Sequence, residues 1–383
     1  MTGSDVLVQG VCPEELAPVR QAFVENFTAR GEVGAALCVM IDGDVAIDLV
    51  GGWADIARTR PWTRDTLVDV YSAGKAVLAT LGLQLVESGR LALDAPVASL
   101  WPEFAVGGKE RATVRHAFAH LAGVPAIRAP LSNEDLWVWE RMVEALASTE
   151  AWFPPGSRVV YHTNTYGHLL GEIVRRAGGS MPADALRRLA TSIGADIWCA
   201  LPAEEQRRCA EVLFESPPGL ADAVAANAAS PDEARRMIAL AYANPPGYGS
   251  GGVVNTPEWR SAQLMAANVH ATARGLAQLY ASLLVPGRIL SSDLLGEATR
   301  VQSSGPCPVL GEPIEFGLGF VPTSSRRRLG RSERAFGHFG TGGAVGFADP
   351  ETGVAFGYVT NRVAPGWQTK RNRALLDALD AAL

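Results

Sequence analysis

The chain reads as an α/β protein of the α+β kind: an antiparallel sheet built from both termini and flanked by helices, with a mainly helical domain inserted. Three observations predict this. The N-terminal part carries an amphipathic helix followed by a hairpin, and the C-terminal part mirrors it with a hairpin followed by a helix. The long middle has helical periodicity broken by Pro and Gly.

Residues 13–30 place Leu16, Val19, Phe23 and Phe27 on one helix face, and Gly31 ends the run. Two apolar runs, 35–41 and 45–50, are joined through Asp42-Gly43-Asp44. Asp-Gly between apolar runs is a strong hairpin signal. At the other end, 344–348 and 354–360 flank the turn-rich Asp349-Pro350-Glu351-Thr352-Gly353, and a last helix runs through Leu375, Leu376, Leu379 and Leu383. Between the ends, helices are predicted at 113–120, 133–149, 165–177, 232–242 and 271–284. The expected division is 1–95 plus 286–383 for the sheet domain and 96–285 for the helical one. The active site is expected in the cleft between them.

Of 383 residues, 48% are hydrophobic and 19% charged, which supplies a full core and excludes disorder. A net charge of −6 offers nothing to nucleic acid or an anionic membrane. The one basic cluster, Arg326-Arg327-Arg328 with Arg331 and Arg334, is expected on a solvated hairpin loop. Cys12, Cys38, Cys199, Cys209 and Cys307 are scattered without a C-x-x-C, which suggests free thiols in a reducing compartment. Residues 1–5 lack the basic and apolar regions of a signal peptide, and no apolar run reaches membrane-spanning length. The expectation is a cytoplasmic protein with no nucleic-acid or membrane partner. Exposed apolar residues of the helical part leave room for a homodimer.

The chemistry begins at Tyr71-Ser72-Ala73-Gly74-Lys75. A serine and a lysine three apart share one helix face. A neighbouring amine in an apolar site activates a serine by taking its proton. Within 76–86 only Thr80 and Gln84 are polar, which predicts a buried helix with Ser72 near its positive end. A second segment runs from Trp152-Phe153-Pro154-Pro155-Gly156 to Tyr161-His162-Thr163-Asn164, just before a helix. A lysine ammonium near Tyr161 favours phenolate, which makes the phenol a candidate general base. The third is His338-Phe339-Gly340-Thr341-Gly342-Gly343, before the last hairpin. Its glycines let backbone N–H groups approach a ligand, and a strand beside the nucleophile supplies one oxyanion donor while the nucleophile's own N–H supplies the other.

In this order and spacing the three segments resemble the serine β-lactamase and penicillin-binding-protein superfamily, in its class C-like branch of family VIII carboxylesterases. Ser72-x-x-Lys75 matches that family's nucleophile motif. Tyr161 matches the first residue of its Tyr-x-Asn motif, and His338-x-Gly340 stands in place of its Lys-Thr-Gly strand. Thr113 to Gly123, the Pro155-Gly156 lead-in and Gly343-x-x-Gly346-x-x-Asp349-Pro350 also look familial. The resemblance spans about 15–380 and implies a β-lactamase/transpeptidase-like fold. It implies Ser72, Lys75 and Tyr161 as catalytic residues and the N–H groups of Ser72 and Thr341 as the oxyanion hole. His338, Phe339, Gly340, Thr163, Asn164 and Trp152 are the substrate-binding candidates. The motif's Asn is Thr163 here, with Asn164 adjacent, and its Lys is His338, mostly uncharged at neutral pH. Both departures favour ester over lactam hydrolysis.

Three functions compete. One is hydrolysis of short-chain carboxylic esters through an acyl-enzyme, with a small-molecule ester as partner and no cofactor. Another keeps the acylation for a β-lactam, a D-amino-acid peptide or amide, or an acyl acceptor other than water. The third is a non-catalytic binding protein on the same fold, against which the intact Ser72, Lys75 and Tyr161 set speaks. Other patterns are set aside. Gly247 to Gly252 fits G-x-G-x-x-G but follows Asn244-Pro245-Pro246 rather than a strand, so a loop at the cleft rim is expected instead of a dinucleotide site. His116 and His120 have metal spacing, but no Glu follows His116, so both are read as structural and no metal is expected. No serine has Gly at both −2 and +2, which excludes an α/β-hydrolase elbow. Trp137 and Trp139 are read as core or as walls of an acyl pocket.

Overall fold

Asp42 and Gly43 both hold positive φ, 51° and 89°, the two-residue turn geometry whose twist matches that of the strands it joins. The hairpin they close, Gly34–Ile41 with Asp44–Gly52, belongs to a seven-stranded antiparallel sheet. Its order is Val8–Val11, Asp44–Gly52, Gly34–Ile41, Val354–Thr360, Val345–Asp349, Phe336–Phe339, Val321–Pro322. The two ends of the chain therefore meet at its centre, where Ile41 lies opposite Val354 and Ala35 opposite Thr360. The computed structural model describes residues 7–214 and 225–383; residues 1–5, read above for a signal peptide, lie outside them.

Both faces of this sheet are covered, so its central strands are apolar throughout rather than alternating. Along Gly34–Ile41, Ala35, Leu37 and Val39 join one core with Phe23 and Leu375, from the helices Ala17–Ala29 and Lys370–Ala382. Ala36, Cys38 and Met40 join the other with Leu276 and Leu279 of the helix Ala273–Leu284. That helix, which the sequence places at the end of the helical segment, packs across the sheet.

One polar group crosses the first core. Glu32, with its side chain fully buried, accepts from Arg371 Nη1 at 2.9 Å, Thr360 Oγ1 at 2.6 Å and the Tyr358 hydroxyl. It joins the end of the first helix, the middle of the sheet and the last helix.

The helix Gly74–Glu87 is buried from Gly74 to Leu83. It packs against the helices Thr165–Gly178 and Pro182–Ile193, and Val77, Leu78, Leu81 and Leu83 share one core with Leu169, Leu170, Ile173, Leu186 and Leu189. Each such side chain contributes about 1.5–3 kcal/mol on burial.

Some expected elements differ. The helix at 133–149 is two, Asn133–Leu136 and Trp139–Ser148, because Val138 between them is extended. The one at 113–120 stops at Phe118, and His120 turns the chain with φ of 59°. Pro182–Ile193, Ser292–Thr299 and the hairpin Ser303–Cys307 with Glu312–Phe316 were not expected. In the basic cluster, Arg327 is buried rather than solvated, because Glu312 gives its guanidinium a partner and Trp367 lies 5.4 Å beneath it.

Candidate active site

An amine one helical turn away and a phenol from a distant part of the chain converge on the Ser72 hydroxyl. Ser72 Oγ lies 3.0 Å from Lys75 Nζ and 2.7 Å from Tyr161 Oη. All three are buried, at 5%, 0% and 1% exposure. Ser72 stands in a single 3-10 turn, Tyr71–Ala73, that runs directly into the buried helix.

Two glycines make this convergence sterically possible. A Cβ on Gly74 would stand 2.6 Å from Val269 Cγ2 and 2.9 Å from Met265 O. Without one, the helix start presses against the segment whose Ala266 carbonyl accepts from Lys75 Nζ at 3.0 Å. A Cβ on Gly340 would stand 2.2 Å from Val70 O, so the end of the strand Phe336–Phe339 reaches the nucleophile turn only because none is there. Thr341 follows at once. Among the described residues, neither its N–H nor that of Ser72 has an acceptor within the protein, the free state an oxyanion hole requires.

Tyr161 is held by the loop 120–124. Val160 N–H donates to His120 O at 3.2 Å, and His162 N–H to His120 Nδ1 at 3.1 Å. His162 Nε2 accepts from Val124 N–H at 3.2 Å. The phenol ring stacks on Phe316 at 5.6 Å and meets Trp367 edge-on at 5.1 Å, and Cys307 Sγ accepts its backbone N–H at 3.3 Å. Through the two bonds to His120 the segment from Thr113 to Gly123 supports the site. His116 closes a capping box with Thr113.

The electrostatics depart from the sequence reading. Burial holds the Lys75 amine well below the usual lysine range. It pushes the Tyr161 phenol well above its ordinary value, against the pull of the Ser72 hydrogen bond. Burial thus shifts both groups toward their uncharged forms, a free amine and a phenol, because neither charge is hydrated there. His338 is fully buried and its pKa falls to about 3, by burial first and then by Lys75. Its Nδ1–H donates to Phe339 O at 2.7 Å, which leaves Nε2 with its lone pair and, among the described residues, no partner. His162 is likewise depressed to about 4, and His120 well below the imidazole range.

The remaining candidates are placed unevenly. Phe339 is fully buried and stacks on Trp367. Asn164 Nδ2 donates to Ala241 O at 2.9 Å, and Thr163 is buried beside it. Neither hydrogen-bonds to the Ser72 group. The Trp152 indole N–H donates to Ala126 O at 2.8 Å, and the Arg128 guanidinium covers its ring at 3.6 Å. Trp139 is core, bonded to Glu172 and tilted against His168. The G-x-G-x-x-G segment forms a 3-10 turn, Pro246–Gly249, and Ser250 reaches the Tyr71 hydroxyl at 3.4 Å. Sequence reading passed over Ala266, Cys307, Phe316 and Trp367. A carbonyl and scattered packing residues leave no motif.

An antiparallel sheet with helical cover, and a Ser-x-x-Lys turn meeting a tyrosine at the mouth of a buried helix, define the β-lactamase-like serine hydrolases. The chain belongs to the Beta-lactamase family, whose model matches residues 19–380. It is 33% identical over 368 residues to the esterase/beta-lactamase LipL of Mycobacterium tuberculosis, an alignment covering 93% of this chain and 83% of that protein. Its fold superposes on a family VIII carboxylesterase with a TM-score of 0.89 at 32% identity, covering 98% of this chain and 100% of that one. A penicillin-binding protein homolog from Caulobacter crescentus gives 0.89 at 35% identity, with the same coverage. Among the described residues no helix is long and apolar enough to cross a membrane.

Proposed function

We propose that this protein is a serine carboxylesterase that cleaves short-chain carboxylic esters through an acyl-enzyme on Ser72. The observation that carries this is the position of Ser72 Oγ, within hydrogen-bond reach of an amine and a phenol at once. The esterase and carboxylesterase names of its relatives support it. The substrate is a small molecule bound where the sheet part meets the helical part, the helix Ala273–Leu284 counting with the sheet that it covers. The scattered cysteines support a cytoplasmic setting.

The mechanism follows from the resting charges. As Ser72 Oγ adds to the ester carbonyl, its proton passes to the free amine of Lys75. The carbonyl oxygen becomes an oxyanion held by the N–H groups of Ser72 and Thr341. Collapse breaks the bond to the alkoxy oxygen, and the Tyr161 phenol gives that oxygen its proton. The phenolate so formed recovers a proton from the Lys75 ammonium, whose Nζ lies 4.9 Å from the ring centre. The acyl group now sits on Ser72 and both bases are back in their resting forms. Water repeats the sequence in reverse and releases the acid.

A neutral His338 where the family carries Lys removes a cation that a lactam carboxylate needs. This favours esters over the alternative substrates, β-lactams and D-amino-acid peptides or amides. Short-chain p-nitrophenyl esters and a chromogenic cephalosporin assayed together test the ranking, and partitioning to an added alcohol detects acyl transfer. Ser72→Ala abolishes ester turnover on this reading, and Tyr161→Phe loses on the order of 10²–10⁴-fold. A fluorophosphonate adduct should map to the peptide holding Ser72. Robust turnover by Ser72→Ala overturns the assignment.

A further inference from the structure

Asp69 stands three residues before Ser72 and takes no part in the chemistry above. It ends the short strand Val68–Asp69, opposite His270, and is 2% exposed. Each carboxyl oxygen accepts one N–H. Oδ1 takes the backbone of Tyr71 at 2.8 Å, and Oδ2 takes the indole of Trp259 at 2.8 Å. Burial pushes the carboxyl up to about 8 against the pull of these donors and of Arg260.

The two donors belong to different parts of the site. Tyr71 holds φ at 49°, a left-handed conformation that a bulky residue adopts only when its surroundings hold it there. That turn sets where Ser72 Oγ emerges. Trp259 begins a segment closed on itself by Asn268. The Asn268 amide donates to Trp259 O at 2.7 Å and Ala262 O at 2.8 Å, and its Oδ1 accepts Leu264 N–H at 3.1 Å. Within that segment Met265 also holds positive φ, 54°, and the next carbonyl, Ala266 O, is the acceptor of Lys75 Nζ. Asp69 thus ties the nucleophile turn to the segment that anchors the lysine.

We propose that Asp69 is a positioning residue that, through Tyr71 and Trp259, sets the separation between Ser72 Oγ and Lys75 Nζ. The role needs two acceptor atoms at once, and in the structure both oxygens accept an N–H, the arrangement of the ionised form that prevails above about pH 8. A carboxamide turns an NH₂ against one of the donors at any pH, so the comparison is made above about pH 8. The inference rests on the esterase reading above.

Asp69→Asn tests it, because volume and shape are kept. With p-nitrophenyl butyrate, kcat is expected to fall about 10–100-fold with KM within about twofold, as a remote misplacement of reacting groups does. Fluorophosphonate labelling of Ser72 slows in parallel. Trp259→Phe keeps the carboxylate and loses one donor, so it moves kcat the same way, and the two changes together add little to the larger one. A folded Asp69→Asn with wild-type kcat overturns the proposal, as does a kcat loss matched by an equal rise in KM. Should Asp69→Asn fail to fold, Trp259→Phe decides by the same criteria. A wild-type protein inert to both ester and fluorophosphonate defeats the esterase reading and this inference with it. An active wild type with an unaffected variant defeats this inference alone.

Discussion

Gly340 passes so close to Val70 that a Cβ on it would stand 2.2 Å from the Val70 carbonyl oxygen. That contact joins the edge half of the sheet to the turn bearing Ser72, and Thr341, the second oxyanion donor of the proposed mechanism, follows Gly340 at once. Gly340→Ala must push the strand end away. Ester kcat should fall on the order of 10²–10³-fold, the effect of losing one oxyanion donor, while circular dichroism remains native. Steady-state kinetics on p-nitrophenyl acetate decide it, and a kcat within about threefold of wild type contradicts the placement.

Lys75 is a buried amine whose folded pKa is depressed by burial. A depressed group contributes stability above its unfolded pKa and loses it as pH falls through the folded pKa. Lys75→Met should therefore lose less Tm between pH 8 and pH 5 than wild type does. Its ester turnover should drop by at least about 10²-fold, the scale of a proton-transfer group. Parallel Tm-against-pH curves for both proteins settle the point.

His338, at about 3, carries no charge in the working range. The acid limb of kcat/KM then belongs to Lys75, as its ammonium cannot take the serine proton. His338→Gln should leave that limb in place and cost less than about tenfold in kcat, well below a lost acid/base group. Movement of the limb in the variant would transfer it to the imidazole.

Arg371→Met leaves Glu32 buried without its cation, although Tyr358 and Thr360 still donate to it. The expected loss is about 3–5 kcal/mol in urea unfolding at pH 7, the usual result of breaking a buried pair from one side. Burial already raises Glu32, against the pull of Arg371. A raised carboxyl loses stability as pH increases, so the variant's deficit should shrink toward pH 5. Arg371 also donates to Gly342 O at 3.1 Å, next to Thr341, so kcat should fall in the folded variant.

What could be read from the sequence was local or ordered along it. Asp42-Gly43 declares its hairpin because the turn chemistry lies within two residues. Ser72 and Lys75 share one helical turn, and Tyr161 entered through its place in a series of motifs. The charge states were not legible, since an ammonium beside a phenol favours phenolate until burial is known. Ala266 was invisible because any residue has a carbonyl. The helix Pro182–Ile193 did carry signals, Pro182 at its start and Gly194 at left-handed φ after its end. The break at Val138 did not, because an extended residue between two helical patterns keeps the same apolar spacing.

The strand Val354–Thr360 lies in the middle of the sheet, yet it leaves the ribosome long after its partner Gly34–Ile41. A nascent chain that stops short of it leaves one edge of Gly34–Ile41 unpaired, open to whatever strand it meets. Loss of this strand is therefore no trimming of an edge. It splits the sheet at its centre, so ester turnover itself reports that both halves of the sheet were made and joined.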